Sequence, residues 1–159
     1  MKVDEDLVRQ VIRPRLRESH KGSYGRVLLV GGLYPYGGAI IMAAIACVNS
    51  GAGLVTVATD RENIIALHAH LPEAMAFDLR ETERFLDNLR AADVILIGSG
   101  LGEEETADWA LELVLANIRS NQNLMVLLLT FWQRKIRAAC QSVTLYSLPI
   151  KRNGKDCLV

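Results

Sequence analysis

Two apolar runs in this chain end in clusters of glycine. Val27-Leu28-Leu29-Val30 runs into Gly31-Gly32, with Gly37-Gly38 just beyond Tyr34-Pro35-Tyr36. Val94-Ile95-Leu96-Ile97 runs into Gly98-Ser99-Gly100-Leu101-Gly102. A third apolar run, Leu54-Val55-Thr56-Val57, is preceded by Gly51-Ala52-Gly53. Glycine lets a backbone come close to a ligand with no Cβ in the way. A helix beginning just after such a turn presents unpaired N–H groups that favour an anion. The chemistry open to these segments is the cradling of an anionic ligand. Gly98–Gly102, between an apolar run and a helix start, is the stronger candidate of the two. The plain alternative for both is an ordinary tight turn between strand and helix. Neither spells G-x-G-x-x-G, so the dinucleotide-binding fingerprint is not met.

Other reactive residues are read more modestly. His20-Lys21 could supply a proton donor and a phosphate-seeking cation, although a surface pair on a loop is the simpler expectation. His68 and His70 lack a cysteine or carboxylate at ligand spacing and are read as surface histidines. Glu73 is either a site carboxylate or a solvated loop residue. Asp60 is assigned to a helix start and Trp109 to packing.

The elements that must position these residues follow from periodicity. Asp4 to Glu18 has a helical spacing of apolar residues, with Pro14 as a kink. Arg26 to Val30, Leu54 to Ala58, Ala74 to Phe77 and Val94 to Ile97 read as strands, and Leu124 to Leu129 begins another. Between them, Ala39 to Asn49 reads as a helix apolar nearly all round and hence buried against the sheet. Thr59 with Glu62 fits a capping box opening a short helix through Leu67. Glu81 to Arg90 reads as an amphipathic helix with Phe85, Leu86 and Leu89 inward. Glu103, Glu104 and Glu105 suit the first turn of a helix running to Ile118. Alternating strands and helices predict an α/β fold, a mostly parallel sheet flanked by helices with right-handed crossovers. In such sheets ligands sit at the carboxyl ends of the strands.

Bulk properties narrow the function. The 159 residues suffice for one domain with a core, and 18 Lys plus Arg balance 18 Asp plus Glu. A net charge of zero argues against a nucleic-acid partner. The acidic start and the shortness of the longest apolar run, Ala39 to Val48, predict neither a leader nor a membrane span. Cys47, Cys140 and Cys157, widely spaced and odd in number, predict free thiols in a reducing cytoplasm.

The segments His20-Lys21-Gly22-Ser23-Tyr24-Gly25, Gly31-Gly32, Tyr36-Gly37-Gly38-Ala39, Ser50-Gly51-Ala52-Gly53-Leu54-Val55-Thr56, Leu71-Pro72-Glu73-Ala74-Met75 and Ile97-Gly98-Ser99-Gly100-Leu101-Gly102 occur in a telling order. Together they resemble the ADP- or ATP-dependent NAD(P)H-hydrate dehydratases, a branch of the ribokinase-like superfamily. The resemblance runs from about residue 7 to 124. The family usually has proline where this chain has Ile40 and Ser99.

The resemblance implies a ribokinase-like α/β fold and the repair of NADH or NADPH hydrated on the nicotinamide ring. The family phosphorylates the ring hydroxyl with ADP or ATP, together with Mg2+, and then eliminates phosphate. Carried over by motif, Ala39 and Gly100 would line the hydrated-nicotinamide site, with Gly38, Lys21 and Tyr24 nearby. A homo-oligomer is also implied. The alternatives are a ribokinase-like kinase acting on a vitamin precursor, or a non-catalytic fragment of an interrupted gene.

After about Asn123 the family pattern stops. Absent are the strand ending in Asp-Gly-Ser-Ala, the Thr-Pro-His strand end, the glycine-rich anion hole and the catalytic aspartate. Codon degeneracy suggests why. Reading the codons of Met125 to Gln133 one base earlier forces glycine, leucine and alanine at three places and permits Asp-Gly-Ser-Ala-Leu-Asn-Phe-Leu-Ala across the segment. The same shift over Tyr146 to Val159 permits a Thr-Pro-His stretch. Residues 1–124 are therefore expected to be the N-terminal portion of the family's domain, and residues 125–159 an out-of-frame tail. Such a chain holds no family catalytic residue. It is expected to be of low stability, prone to aggregate and without dehydratase turnover.

Overall fold

The computed structural model describes residue 5, residues 15–118 and residues 122–126. Cys140, Cys157 and nearly all of residues 125–159 lie outside the described residues, as does most of the helix expected over Asp4 to Glu18; Glu5 is helical, but Arg15 to Glu18, just after Pro14, are not.

Five strands form one sheet in the order β3-β2-β1-β4-β5, with every neighbouring pair parallel. They are β1 (Arg26–Val30), β2 (Leu54–Thr59), β3 (Met75–Asp78), β4 (Val94–Ile97) and β5 (Asn123–Val126). Four helices join them: α1 (Gly37–Asn49), α2 (Arg61–His70), α3 (Thr82–Ala91) and α4 (Glu105–Asn117). A 3-10 turn, Lys21–Tyr24, precedes β1. The chain builds outward from β1 to β3, then returns across the sheet to lay β4 on the other side of β1. The strand order thus reverses between β1 and β4.

The strands read as continuous apolar runs because both sheet faces are covered. On one face Leu28, Val30, Ile95 and Ile97 pack with Phe85, Leu89, Leu111 and Val114 of α3 and α4. On the other, Leu29, Val55 and Val57 pack with Ile40, Ala44 and Leu67 of α1 and α2. Phe85 is fully buried, 6.4 Å from the Phe77 ring and 6.0 Å from that of Trp109, which supports the packing role expected of Trp109.

Two expectations need correction. Helix α1 packs on the sheet as expected, but only Ile40 and Ala44 are fully buried; Ile41, Ala43, Ile45, Cys47 and Val48 are half-buried against the second core, and Met42 is 68% exposed. A helix with apolar residues all round offers no polar face to betray which side meets water. The capping box is not formed either. Thr59 is the last residue of β2 and is buried, and α2 begins after Asp60, whose side chain makes no cap hydrogen bond.

Cys47 lies on α1, partly covered by the second core, and burial pushes its thiol above the usual range. The thiolate is the nucleophile, so Cys47 should alkylate more slowly at neutral pH than a free cysteine peptide, and faster as pH rises. Mass mapping of the Cys47 peptide after iodoacetamide treatment measures this. Labelling at the peptide's rate would contradict it.

Candidate functional site at the strand-order reversal

The two glycine segments meet where β1 and β4 end. Gly98 N–H donates to the Val30 carbonyl at 3.1 Å, Gly32 N–H to the Ser99 carbonyl at 2.8 Å, and Leu33 N–H to the Gly100 carbonyl at 2.8 Å. The loops are therefore stitched together rather than merely adjacent. Their glycines are required by this closeness. A Cβ on Gly31 would overlap the Ser99 carbonyl oxygen. Gly100 has φ of +66°, and a Cβ there would overlap the Tyr36 carbonyl oxygen and lie 3.1 Å from the Ala39 Cβ.

Ala39 and Gly100, paired above only by resemblance, thus touch. Gly38 is exposed in the first turn of α1, and a Cβ on it would meet nothing within 4 Å. The three lie together at the carboxyl ends of the central strands, the crevice that ligands occupy in open α/β sheets.

Lys21 and Tyr24 do not join them. They precede β1, whose five residues carry the chain roughly 16 Å to its far end at about 3.3 Å per residue. The Tyr24 carbonyl accepts from Gly53 N–H at 3.1 Å, its hydroxyl accepts from Leu16 N–H at 3.0 Å, and the Arg15 guanidinium lies 4.4 Å above its ring. These contacts tie the Lys21–Tyr24 turn to the loop before β2, at the amino end of the sheet. In this chain the expectation that Lys21 and Tyr24 neighbour Ala39 and Gly100 is not met. His68, His70 and Glu73 are exposed, as surface residues should be.

Sequence reasoning missed the side chains that hold the Gly31–Gly38 loop. The buried Thr59 hydroxyl donates to the Gly32 carbonyl at 3.0 Å and accepts from the Asn63 amide at 3.1 Å. Asn63 also donates to the Gly37 carbonyl at 3.2 Å. Asp60 accepts the Tyr34 N–H at 2.8 Å on one oxygen and the Arg80 guanidinium at 2.8 Å on the other. Hydrogen bonding to Asp60 is the first cause that raises the Arg80 pKa above its ordinary value. The one sequence signal was a threonine at a strand end with asparagine four residues on, in the first turn of the helix that follows.

Thr59→Val keeps the shape but leaves the Gly32 carbonyl and the Asn63 amide each short of a partner. A loss of about 1–3 kcal/mol is expected, with Thr59→Ser close to wild type. Denaturant melts of the two variants check this, and equal midpoints would contradict it.

Among the described residues, no three His, Cys, Asp or Glu side chains gather as a metal-holding set. No described helix is long and apolar enough to cross a membrane.

A parallel sheet with this strand order, helices on both faces and glycine loops at the reversal defines a doubly wound α/β protein. A solved ribokinase-like superfamily protein from Enterococcus faecalis superposes with a TM-score of 0.75 at 48% identity, covering 77% of this chain and 43% of that one. The chain belongs to the NAD(P)H-hydrate dehydratase family, whose model matches residues 27–128. An ADP-dependent (S)-NAD(P)H-hydrate dehydratase of Streptococcus thermophilus is 97% identical over 126 residues, 79% of this chain and 45% of that protein. The ADP/ATP-dependent NAD(P)H-hydrate dehydratase of Bacillus subtilis, co-crystallised with ATP and Mg2+, superposes with a TM-score of 0.63 at 28% identity, over 77% of this chain and 44% of that one. The chain thus spans less than half the length of the curated relatives it matches.

Proposed function

We propose that this chain carries the hydrate-binding part of an ADP-dependent (S)-NAD(P)H-hydrate dehydratase and does not itself complete the reaction. The observation that supports this most is the contact of Gly100 with Ala39 and Tyr36, where the two glycine loops are stitched together at the reversal of strand order. A crevice walled by backbone and small side chains suits a flat ring and its pyrophosphate, which need close approach. Ala39, Gly100 and Gly38 line it in this reading. The ADP (or ATP) and Mg2+ of the family supply phosphoryl transfer to the ring hydroxyl when bound. No metal-holding set for that Mg2+ is found among the described residues.

Residues 1–124 are read as the N-terminal portion of the family domain and residues 125–159 as an out-of-frame tail. This rests on the forced glycine, leucine and alanine of the alternative frame, and on matches that cover 126 residues of this chain in the S. thermophilus relative and 124 in that of Streptococcus pneumoniae. Resequencing the codons for Ser120 to Thr130 tests it. Coding DNA unable to spell the missing motifs in any frame would contradict it.

The functional reading is tested by equilibrium dialysis of the 159-residue chain against NADH-hydrate, with hydroxymethylpyrimidine as control, alongside an assay for NADH formation with ADP and Mg2+. Binding of the hydrate without NADH formation is expected. Preferential binding of the pyrimidine would favour the vitamin-precursor kinase, and sustained NADH formation would show the chain to be catalytically whole.

A further inference from the structure

We propose that Tyr36 is a substrate-positioning residue, its ring stacking on the flat part of the hydrated nicotinamide; this rests on the hydrate-binding reading above. Tyr36 is the N-cap residue of α1 and lies in the first glycine loop, against Gly100 of the second. A Cβ built on Gly100 would lie 3.1 Å from the Tyr36 Cβ and equally close to the Ala39 Cβ. The Tyr36 side chain therefore leaves the backbone beside Ala39 and Gly100, at the carboxyl ends of β1 and β4.

Its backbone is fixed on both sides. Tyr36 N–H donates to the Leu33 carbonyl at 2.6 Å, and its carbonyl accepts from Ala39 N–H at 3.1 Å. The flanking residues are held as well, Tyr34 by Asp60 and Gly37 by Asn63. Yet Tyr36 is 57% exposed, one of the few large apolar side chains left uncovered among the described residues. An aromatic ring on an anchored backbone, at the mouth of a crevice and not used in the core, is a preorganised surface for a ligand. A tyrosine also loses little conformational freedom on binding, having only two side-chain torsions.

The ligand's chemistry fits. Hydration saturates one ring double bond of dihydronicotinamide and leaves the other conjugated with the carboxamide. The ring nitrogen, that double bond and the carboxamide remain nearly coplanar and present a face to stack on.

Equilibrium dialysis of the 159-residue chain with NADH-hydrate tests the proposal, with Tyr36→Ala, Tyr36→Leu and Tyr36→Phe beside wild type and circular-dichroism melts as the check on folding. Loss of a base–aromatic stack weakens binding by about tenfold, so Tyr36→Ala and Tyr36→Leu should each bind about tenfold more weakly. Tyr36→Phe should stay within about twofold of wild type, because the ring face is retained. Wild-type affinity in Tyr36→Ala, or in Tyr36→Leu where bulk remains without a π face, would overturn the stacking role while leaving the hydrate site standing. Absence of hydrate binding by wild type would overturn both.

Discussion

Gly100→Ala is expected to lower the melting temperature by roughly 10–20 °C and to abolish hydrate binding. Gly100 has φ of +66°, where a residue with a Cβ costs about 1–2 kcal/mol. The added methyl would also overlap the Tyr36 carbonyl oxygen, and nothing flexible is there to yield. Tyr36 is locked through Leu33 and Ala39, so relief requires the whole Gly31–Ala39 loop to move away from β4. That movement breaks the 2.8 Å hydrogen bonds from Gly32 to Ser99 and from Leu33 to Gly100. Together these effects come to about 3 kcal/mol or more, which for a domain of this size gives the stated shift. The same opening separates Ala39 from Gly100 and so dismantles the crevice. A melt within about 3 °C of wild type, with hydrate still bound, would show that neither loop depends on that glycine.

Phe85→Ala is expected to leave no cooperative melt at 25 °C. Phe85 is fully buried and joins Phe77 of β3 to Trp109 on α4. Its removal takes away the piece that locks α3 against both the sheet and its neighbouring helix. Truncating a buried phenylalanine costs about 3–5 kcal/mol, against about 5–15 kcal/mol for an intact domain. That is a large fraction of the stability of such a domain. Phe85→Leu, which preserves most of the volume, should cost under about 1.5 kcal/mol and keep a cooperative transition. Near-ultraviolet and far-ultraviolet dichroism of the two variants check this. A sharp transition in Phe85→Ala would mean that the core around α3 repacks without it.

The layout of the sheet was legible in the sequence because strands buried on both faces must be apolar throughout and must end where glycine or helix begins. Val27 to Val30 and Val94 to Ile97 announced themselves in this way. The pairing of Ala39 with Gly100 was legible only through family resemblance, since 61 residues separate them and no local signal links them. The clamp of Thr59, Asp60 and Asn63 was not legible. Its partners Gly32, Tyr34 and Gly37 lie 26 or 27 residues earlier, and the clamp exists only once β2 has been laid beside β1. The same rule explains the misplacement of Lys21 and Tyr24. They were carried over by resemblance, and motif order does not show that an intervening strand takes the chain to the opposite end of the sheet. The exposure of Met42 was hidden by composition, because an apolar helix without charged residues shows no period.

The central claim is that the hydrate binds where the two glycine loops meet. The most direct test is a nitrogen-15 amide spectrum of the 159-residue chain, titrated with NADH-hydrate and, separately, with NADH. The hydrate is expected to shift the amides of Gly31, Gly32, Ala39, Gly98 and Gly100 in one saturable transition, while those of Lys21 and Tyr24 at the far end of the sheet stay still. Shifts centred on Lys21 and Tyr24, or equal responses to hydrate and NADH, would contradict it.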